Sequence, residues 1–245
     1  MVQNQLMLRT PLPNDEPKYR GEYQVGQILS KMQGLSGEAW FQISDLAGVP
    51  ELDLLFFHKN AGIYLIEIKS VSLDYIVDYN TNFYKTKSQY RDQHPVQQAR
   101  YGSIKLREYI ERFNKEGKKR NSSIPFIQYT VLWPLITRKE WRERFTDPKL
   151  RIEAESFLFK DDLANTRNWL DGLQRQWTNP LSGTKPHERV RGEHDGMDIL
   201  RQICSRTENV AIEAQINPEA LKPVKQSKNL AEEFKPGTKL SLIHI

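Results

Sequence analysis

The strongest hydrophobic pattern lies between Glu51 and Ser70, ELDLLFFHKNAGIYLIEIKS. Leu52–Phe57 is an apolar run broken only by Asp53, and Ile63–Lys69 is a second run broken by Glu67 and Lys69. Between them His58–Gly62 carries turn chemistry, with Asn60 and Gly62 suited to positive φ. The two runs predict a β-hairpin. On the second strand Ile63 and Leu65 face one way, and Tyr64, Ile66 and Ile68 face the other. Such a strand lies inside a sheet covered on both faces.

Around this hairpin the periodicity changes. Tyr19–Met32 has a helical apolar stripe through Tyr23, Val25, Ile28 and Leu29, ended by Gly34 and Gly37. Glu22 falls in its first turn, where the helix dipole favours a carboxylate. Ala39–Ala47 reads as a strand. After the hairpin, short edge strands are expected near Tyr75–Tyr79 and Asn82–Lys85. His94-Pro95 then opens the longest helical pattern, with Pro95 at the first helical position. Pro125–Leu135 is a further buried strand and Ser156–Lys160 another, after which Asp161 caps a helix through Leu173. Met197–Cys204 reads as a short helix and Asn209–Gln215 as a strand. The whole predicts a small α/β sheet flanked by helices. The boundaries divide the chain into a 1–17 lead-in arm, an 18–162 core and a 163–245 mixed extension, with a Pro- and Gly-rich linker over Asn179–Gly196.

Three charges stand on the two buried strands, where leaving one charge unpaired costs on the order of several kcal/mol. Glu67 and Lys69 share a face by their i, i+2 spacing. If Lys59-Asn60-Ala61 closes the hairpin as a three-residue loop, Asp53 lies opposite Glu67. A two-residue Asn60-Ala61 turn pairs Asp53 with Ile68 instead and puts it on the other face. In the first register the carboxylates repel, and a hard cation such as Mg²⁺ or Mn²⁺ relieves that repulsion, taking oxygen from Asp53, Glu67 and the Ile68 carbonyl. Lys69 then offers a positive donor to an attacking water and to a scissile phosphate. The three charges read as a metal-dependent phosphodiesterase centre. The competing account is an internal Glu–Lys–Asp ion network.

Composition narrows the field. The 245 residues carry 36 Lys and Arg against 31 Asp and Glu, a net charge of +5 that suits a polyanionic partner. Cys204 is the sole cysteine, so a disulfide framework and a Cys-based zinc cluster are excluded. The five histidines (His58, His94, His187, His194 and His244) show no metal-ligand spacing. Neither a signal-peptide pattern nor a membrane-spanning run is present, and a reducing cytoplasm is the expected compartment. The basic groups Lys115–Arg120 and Arg138, Lys139, Arg142 and Arg144 read as solvated faces, with nucleic-acid backbone contact as the alternative. The tryptophans read as core.

Asp53 followed by Glu67-Ile68-Lys69 resembles the PD-(D/E)XK nuclease motif, with Leu52 in place of the usual proline. Gly21-Glu22, Glu51-Leu52-Asp53, Gly62-Ile63-Tyr64 and His94-Pro95-Val96-Gln97-Gln98-Ala99 look more narrowly like the nuclease-related domain, NERD, over roughly residues 18–135. The resemblance implies a restriction-endonuclease-like fold with a mixed sheet of four or five strands between helices. It implies metal-dependent cleavage of DNA, with catalytic roles for Asp53, Glu67 and Lys69. Glu22 matches a supporting glutamate of the first helix, and Gln98 matches the glutamine that reaches in from the second. Gln97 and Tyr101 also have the Gln-x-x-x-Tyr spacing of RecB-type nucleases, and only one of the adjacent glutamines is expected to face the site. Such domains are often fused in front of a helicase, and Leu240–Ile245 looks like the strand that leads into a Walker A loop. The chain, which has no Walker A sequence, is expected to be the front of a longer polypeptide serving DNA repair or defence. The other function classes are a catalytically silent nucleic-acid-binding module and a helicase-interaction domain.

Overall fold

A computed structural model of the chain describes residues 6–203, apart from 14, 17–18, 45, 89–92, 117–125, 176–196 and 199. The expected linker, the distal strand, most of the Lys115–Arg120 run, Cys204, Trp177, His187, His194, His244 and the terminal run lie outside the described residues.

The hairpin forms the middle of a mixed sheet. Its strands are β3 (Leu52–His58) and β4 (Gly62–Ile68), and every residue of β4 is buried. β2 (Gly37–Ile43) joins β3 antiparallel, β1 (Leu6–Leu8) joins β2 in parallel, and β7 (Ile127–Trp133) and β8 (Leu158–Phe159) continue in parallel beyond β4. The sheet therefore has six strands in the order β1-β2-β3-β4-β7-β8. Four or five were expected. β1 falls in the expected lead-in and is too short to produce a period-2 signal; it is a strand because β2 offers it an edge. The alternation of β3 and β4 sorts their side chains as the pattern predicts. Leu54, Phe56, Tyr64, Ile66 and Ile68 pack with Val25 and Leu29 of α1 (Arg20–Lys31) and with Trp169 and Leu173 of α5 (Thr166–Arg175). Leu55, Phe57, Ile63 and Leu65 pack with Leu106 and Ile110 of α2 (Pro95–Glu116), and with Met197, Leu200 and Ile203.

The expected edge strands pair with each other as β5 (Ile76–Asn80) and β6 (Phe83–Thr86), a separate two-stranded hairpin. Its inner side chains enter a third cluster with Trp133 and with α3 (Arg138–Arg144) and α4 (Pro148–Ala154). Here one expectation is corrected. Arg138 does not lie on a solvated face. Its guanidinium donates to the carbonyls of Ala154 at 2.9 Å and Phe157 at 3.0 Å, meets Asp162 at 3.3 Å, and stacks over the Phe159 ring. Asp162 also closes the turn at Lys160–Leu163 through the Phe159 N–H, so the expected helix from Asp161 becomes a 3-10 turn followed by α5. Trp133, Trp141 and Trp169 are fully buried and Trp40 almost so. No helix among the described residues is long and apolar enough to cross a membrane.

Two helices approach the central hairpin through glycines. A Cβ on Gly21 of α1 would lie 2.5 Å from the Ser70 Cβ, just past β4. A Cβ on Gly102 of α2 would lie 2.9 Å from a Leu65 methyl and 3.0 Å from a Leu52 methyl. Methyl groups at the ends of leucines can rotate away, whereas the Ser70 Cβ is fixed to the backbone. Gly21→Ala is therefore expected to lower stability by about 1–3 kcal/mol and Gly102→Ala by less, as read from urea midpoints at unchanged slope.

Candidate functional site

The hairpin takes the three-residue form. His58 pairs with Gly62, leaving Lys59, Asn60 and Ala61 as the loop, and the Ala61 N–H bonds the His58 carbonyl at 3.0 Å. Gly62 has a φ of 95°, which a side chain would resist. The ladder runs on to Leu54 opposite Ile66. One further step in the same register sets Asp53 opposite Glu67. At that step the Ile68 N–H donates to Asp53 Oδ2 at 2.7 Å. The carboxylate takes a ladder hydrogen bond that a β3 carbonyl would otherwise receive, and this fixes its position.

Lys69 follows β4, and its own N–H is held by the Leu132 carbonyl of β7 at 2.9 Å. Its ammonium donates to Glu67 Oε1 at 2.7 Å and to Gln98 Oε1 at 3.0 Å. Glu67 is buried, while Lys69 and Gln98 are half-buried. Of the two adjacent glutamines it is thus Gln98 that reaches the site. Gln97 is exposed and Tyr101 is 54% exposed, so the RecB-like spacing falls on the outer side of α2. Glu22 comes from the opposite face of the sheet, on the first turn of α1. It lines a cleft of about 410 Å³ together with Arg20, Gln24, Ile68, Ser70 and Leu135.

The electrostatics show how these groups bear on one another. Asp53 is pushed up to about 7, chiefly by burial and then by the neighbouring Glu67 charge. Glu67 is raised by burial, against the opposing pull of Lys69. Glu22 is also pushed up to about 7, by burial and then by Asp53. Glu51, two residues before Asp53, adds to the strain on both Asp53 and Glu22. Sequence reasoning assigned it no role; its i, i+2 spacing from Asp53 was the available signal.

Four carboxyls thus act on one another beside a single ammonium, and all the side-chain donors are hard oxygens. Among the described residues no three Asp, Glu, His or Cys side chains are gathered as an ion cage. This does not disqualify a small divalent ion. Mg²⁺ usually keeps several waters and is held by one or two carboxylates together with substrate phosphates. The Asp53–Glu67 pair fits that requirement.

Residues 17–134 match the family model of the nuclease-related domain, NERD. That span is a NERD domain, a family of the PD-(D/E)XK superfamily. The NERD match runs from just before α1 to just past β7, and so contains Glu22, Asp53, Glu67, Lys69 and Gln98. No curated protein and no solved structure matches the chain.

The raised carboxyls have a consequence for stability. Asp53 and Glu22 titrate near 7 in the folded NERD domain, against ordinary values of 3.8 and 4.5. Between roughly pH 4 and 7 the folded state therefore binds more protons than the unfolded state, and stability falls as pH rises through that window. Asp53→Asn removes one of these charges. In EDTA at pH 8 it is expected to raise stability by about 1–3 kcal/mol, with almost no gain near pH 4. Thermal unfolding of the two proteins at both pH values is the check, and an equal gain at both would contradict it.

Proposed function

We propose that the NERD domain of this chain is a metal-dependent deoxyribonuclease that hydrolyses phosphodiester bonds, with Asp53, Glu67, Lys69, Glu22 and Gln98 as its working residues. The observation that carries this is the tethering of Lys69. Its ammonium is held between Glu67 and Gln98 at the end of β4, beside Asp53. An ion pair serving stability alone needs no third partner brought in from a helix. The double tether spends two of three ammonium hydrogens and leaves the third for a water or a phosphate oxygen.

Asp53, Glu67 and the Ile68 carbonyl are the groups that would hold the ion, Mg²⁺ or Mn²⁺. When bound, it supplies Lewis acidity toward the phosphate and makes a neighbouring water more acidic. The chain's own groups do the rest. Glu67 and Gln98 fix the direction of Lys69, so its charge is preorganised toward oxygens that become more negative in the transition state. The Ile68 N–H keeps Asp53 from turning away. Glu22 adds a carboxylate from the cleft on the other face. In the reaction a water oxygen bonds to phosphorus and the bond to the departing deoxyribose oxygen breaks. That oxygen takes a proton from solvent, and the water's proton is released. The link to a helicase in repair or defence is supported only by the family resemblance, since Leu240–Ile245 lies outside the described residues.

The proposal is tested by conversion of supercoiled plasmid to nicked circles with Mg²⁺ or Mn²⁺. EDTA is expected to abolish it. Lys69→Ala and Asp53→Asn are each expected to slow it by on the order of a thousandfold, and Gln98→Ala by on the order of tenfold, because Gln98 orients Lys69 and carries no charge. Cleavage by Lys69→Ala at the unmodified rate would remove the site from consideration.

A further inference from the structure

The chain leaves the site at Lys69 and returns to it as Gln98, whose side chain accepts from the Lys69 ammonium. The stretch between these residues is anchored to the site at both ends and carries the β5–β6 hairpin, which belongs to no other sheet. One face of this hairpin is well fixed. Ile76, Tyr79, Tyr84 and Thr86 are buried, and the Tyr79 ring lies 5.0 Å from Trp141 and 6.3 Å from Trp133. Val131, the β7 residue paired with Glu67, belongs to the same cluster. The hairpin therefore packs next to the strand position that carries a site carboxylate. The buried His94 ring fastens it to α2: Nε2–H donates to the Asn80 carbonyl at 2.9 Å, and the His94 carbonyl accepts from the Gln98 N–H at 2.9 Å.

The other face has a different composition. It presents the cross-strand pairs Asn80–Phe83 and Asp78–Lys85. Phe83 is 45% exposed, Val77 at the adjoining register shift 47%, and Tyr75 just before β5 38%. Lys85 and Lys87 are exposed as well. None of these large apolar groups is needed to bury the inner face, so Phe83, Val77 and Tyr75 are left available to a partner.

We propose that this outer face is a stacking platform for unpaired nucleobases, with Phe83 as its principal ring, and that single-stranded nucleic acid is the substrate class of the site. This rests on the nuclease reading above. The occupant follows from continuity and charge. A strand cut beside Lys69 must run on past the scissile phosphate, and the hairpin is the wall anchored there, with Lys85 and Lys87 available to its phosphates. Asp78, opposite Lys85, offsets part of that charge. Stacking, which any base can supply, consequently carries more of the binding here than phosphate contact does. In a duplex the base faces are covered by their neighbours and reach Phe83 only at the expense of unstacking.

The test uses the full chain with Asp53→Asn, which separates binding from cleavage, and a fluorescein-labelled oligodeoxynucleotide followed by anisotropy in single-stranded and duplex form. The single strand is expected to bind more tightly than the duplex. Adding Phe83→Ala is expected to weaken it on the order of tenfold without changing the slope of log affinity against log salt, and Phe83→Trp to preserve it. Lys87→Ala is expected to reduce that slope. The proposal is overturned if the single strand does not bind, if Phe83→Ala or Phe83→Leu binds as well as the parent, or if the duplex shows the same dependence on Phe83. It is also overturned if Phe83→Ala dissociates a dimer of the chain while oligonucleotide binding is unaltered. Cleavage of the same labelled single strand by the unmodified chain with Mg²⁺ or Mn²⁺ keeps the two readings apart. Phe83-dependent binding in a chain that cuts nothing leaves the platform and removes the nuclease. Cleavage indifferent to Phe83 removes the platform and leaves the nuclease.

Discussion

The pairing register of β3 and β4 is the constraint on which the site depends. Side chains alternate along a strand with a period of two, so a slip of one residue would turn Asp53 to the opposite face and separate it from Glu67. Three features hold the register. The loop is limited to Lys59, Asn60 and Ala61, Gly62 accepts the left-handed conformation that this loop needs, and the Ile68 N–H is bound by the Asp53 carboxylate. The last of these makes a site residue part of the sheet's own hydrogen bonding. Chemistry and fold share that bond, which leaves Asp53 little freedom to rotate away.

Around this fixed pair the molecule concentrates charge that it would be more stable without. Burial and mutual repulsion raise Asp53, Glu67 and Glu22 together, against backbone hydrogen bonding to Asp53 and Glu22 and the pull of the Lys69 ammonium. The close approach of α1 at Gly21 and of α2 at Gly102 is what brings carboxylate and amide groups from opposite faces to the same strand ends. A stability-driven arrangement would neutralise these groups pairwise, as the buried Asp162 is neutralised by Arg138 and Arg175 and the buried Glu38 by Arg9 and Arg201. The contrast within one molecule separates the site from the ordinary ion pairs that hold the fold.

A second frame stands next to the site. Trp133, Trp141, Phe157 and Phe159 form a continuous aromatic cluster into which Tyr79 and Tyr84 of the β5–β6 hairpin are set. Rings of this size bury much apolar area with few rotatable bonds, so the hairpin gains rigidity although it pairs with no other strand. His94 then ties it to the start of α2. The positions of Gln98 on one side and of the exposed Phe83 face on the other are thus set by the same piece of packing.

The amino-acid sequence by itself determined the elements and the chemistry. The period-2 runs specified both central strands and their two apolar faces. Pro95 marked the start of α2, and Asp53, Glu67 and Lys69 stood out because charges are rare on such strands. These signals are local, which is why they are legible. Tertiary structure decided which of two hairpin registers formed and that Gln98 rather than Gln97 meets Lys69. It also brought Glu51 to bear on Asp53, turned Arg138 inward, and made Leu6–Leu8 a strand. Apart from the hairpin register and the Glu51–Asp53 repulsion, which are local, these outcomes depend on a partner far along the chain. Leu6–Leu8 needs the edge of β2, Arg138 needs the carbonyls after α4, and the choice between adjacent glutamines needs the angle at which α2 crosses β4. Glu22 and Gln98 meet the three charges of the hairpin only because two helices close on it from opposite faces of the sheet.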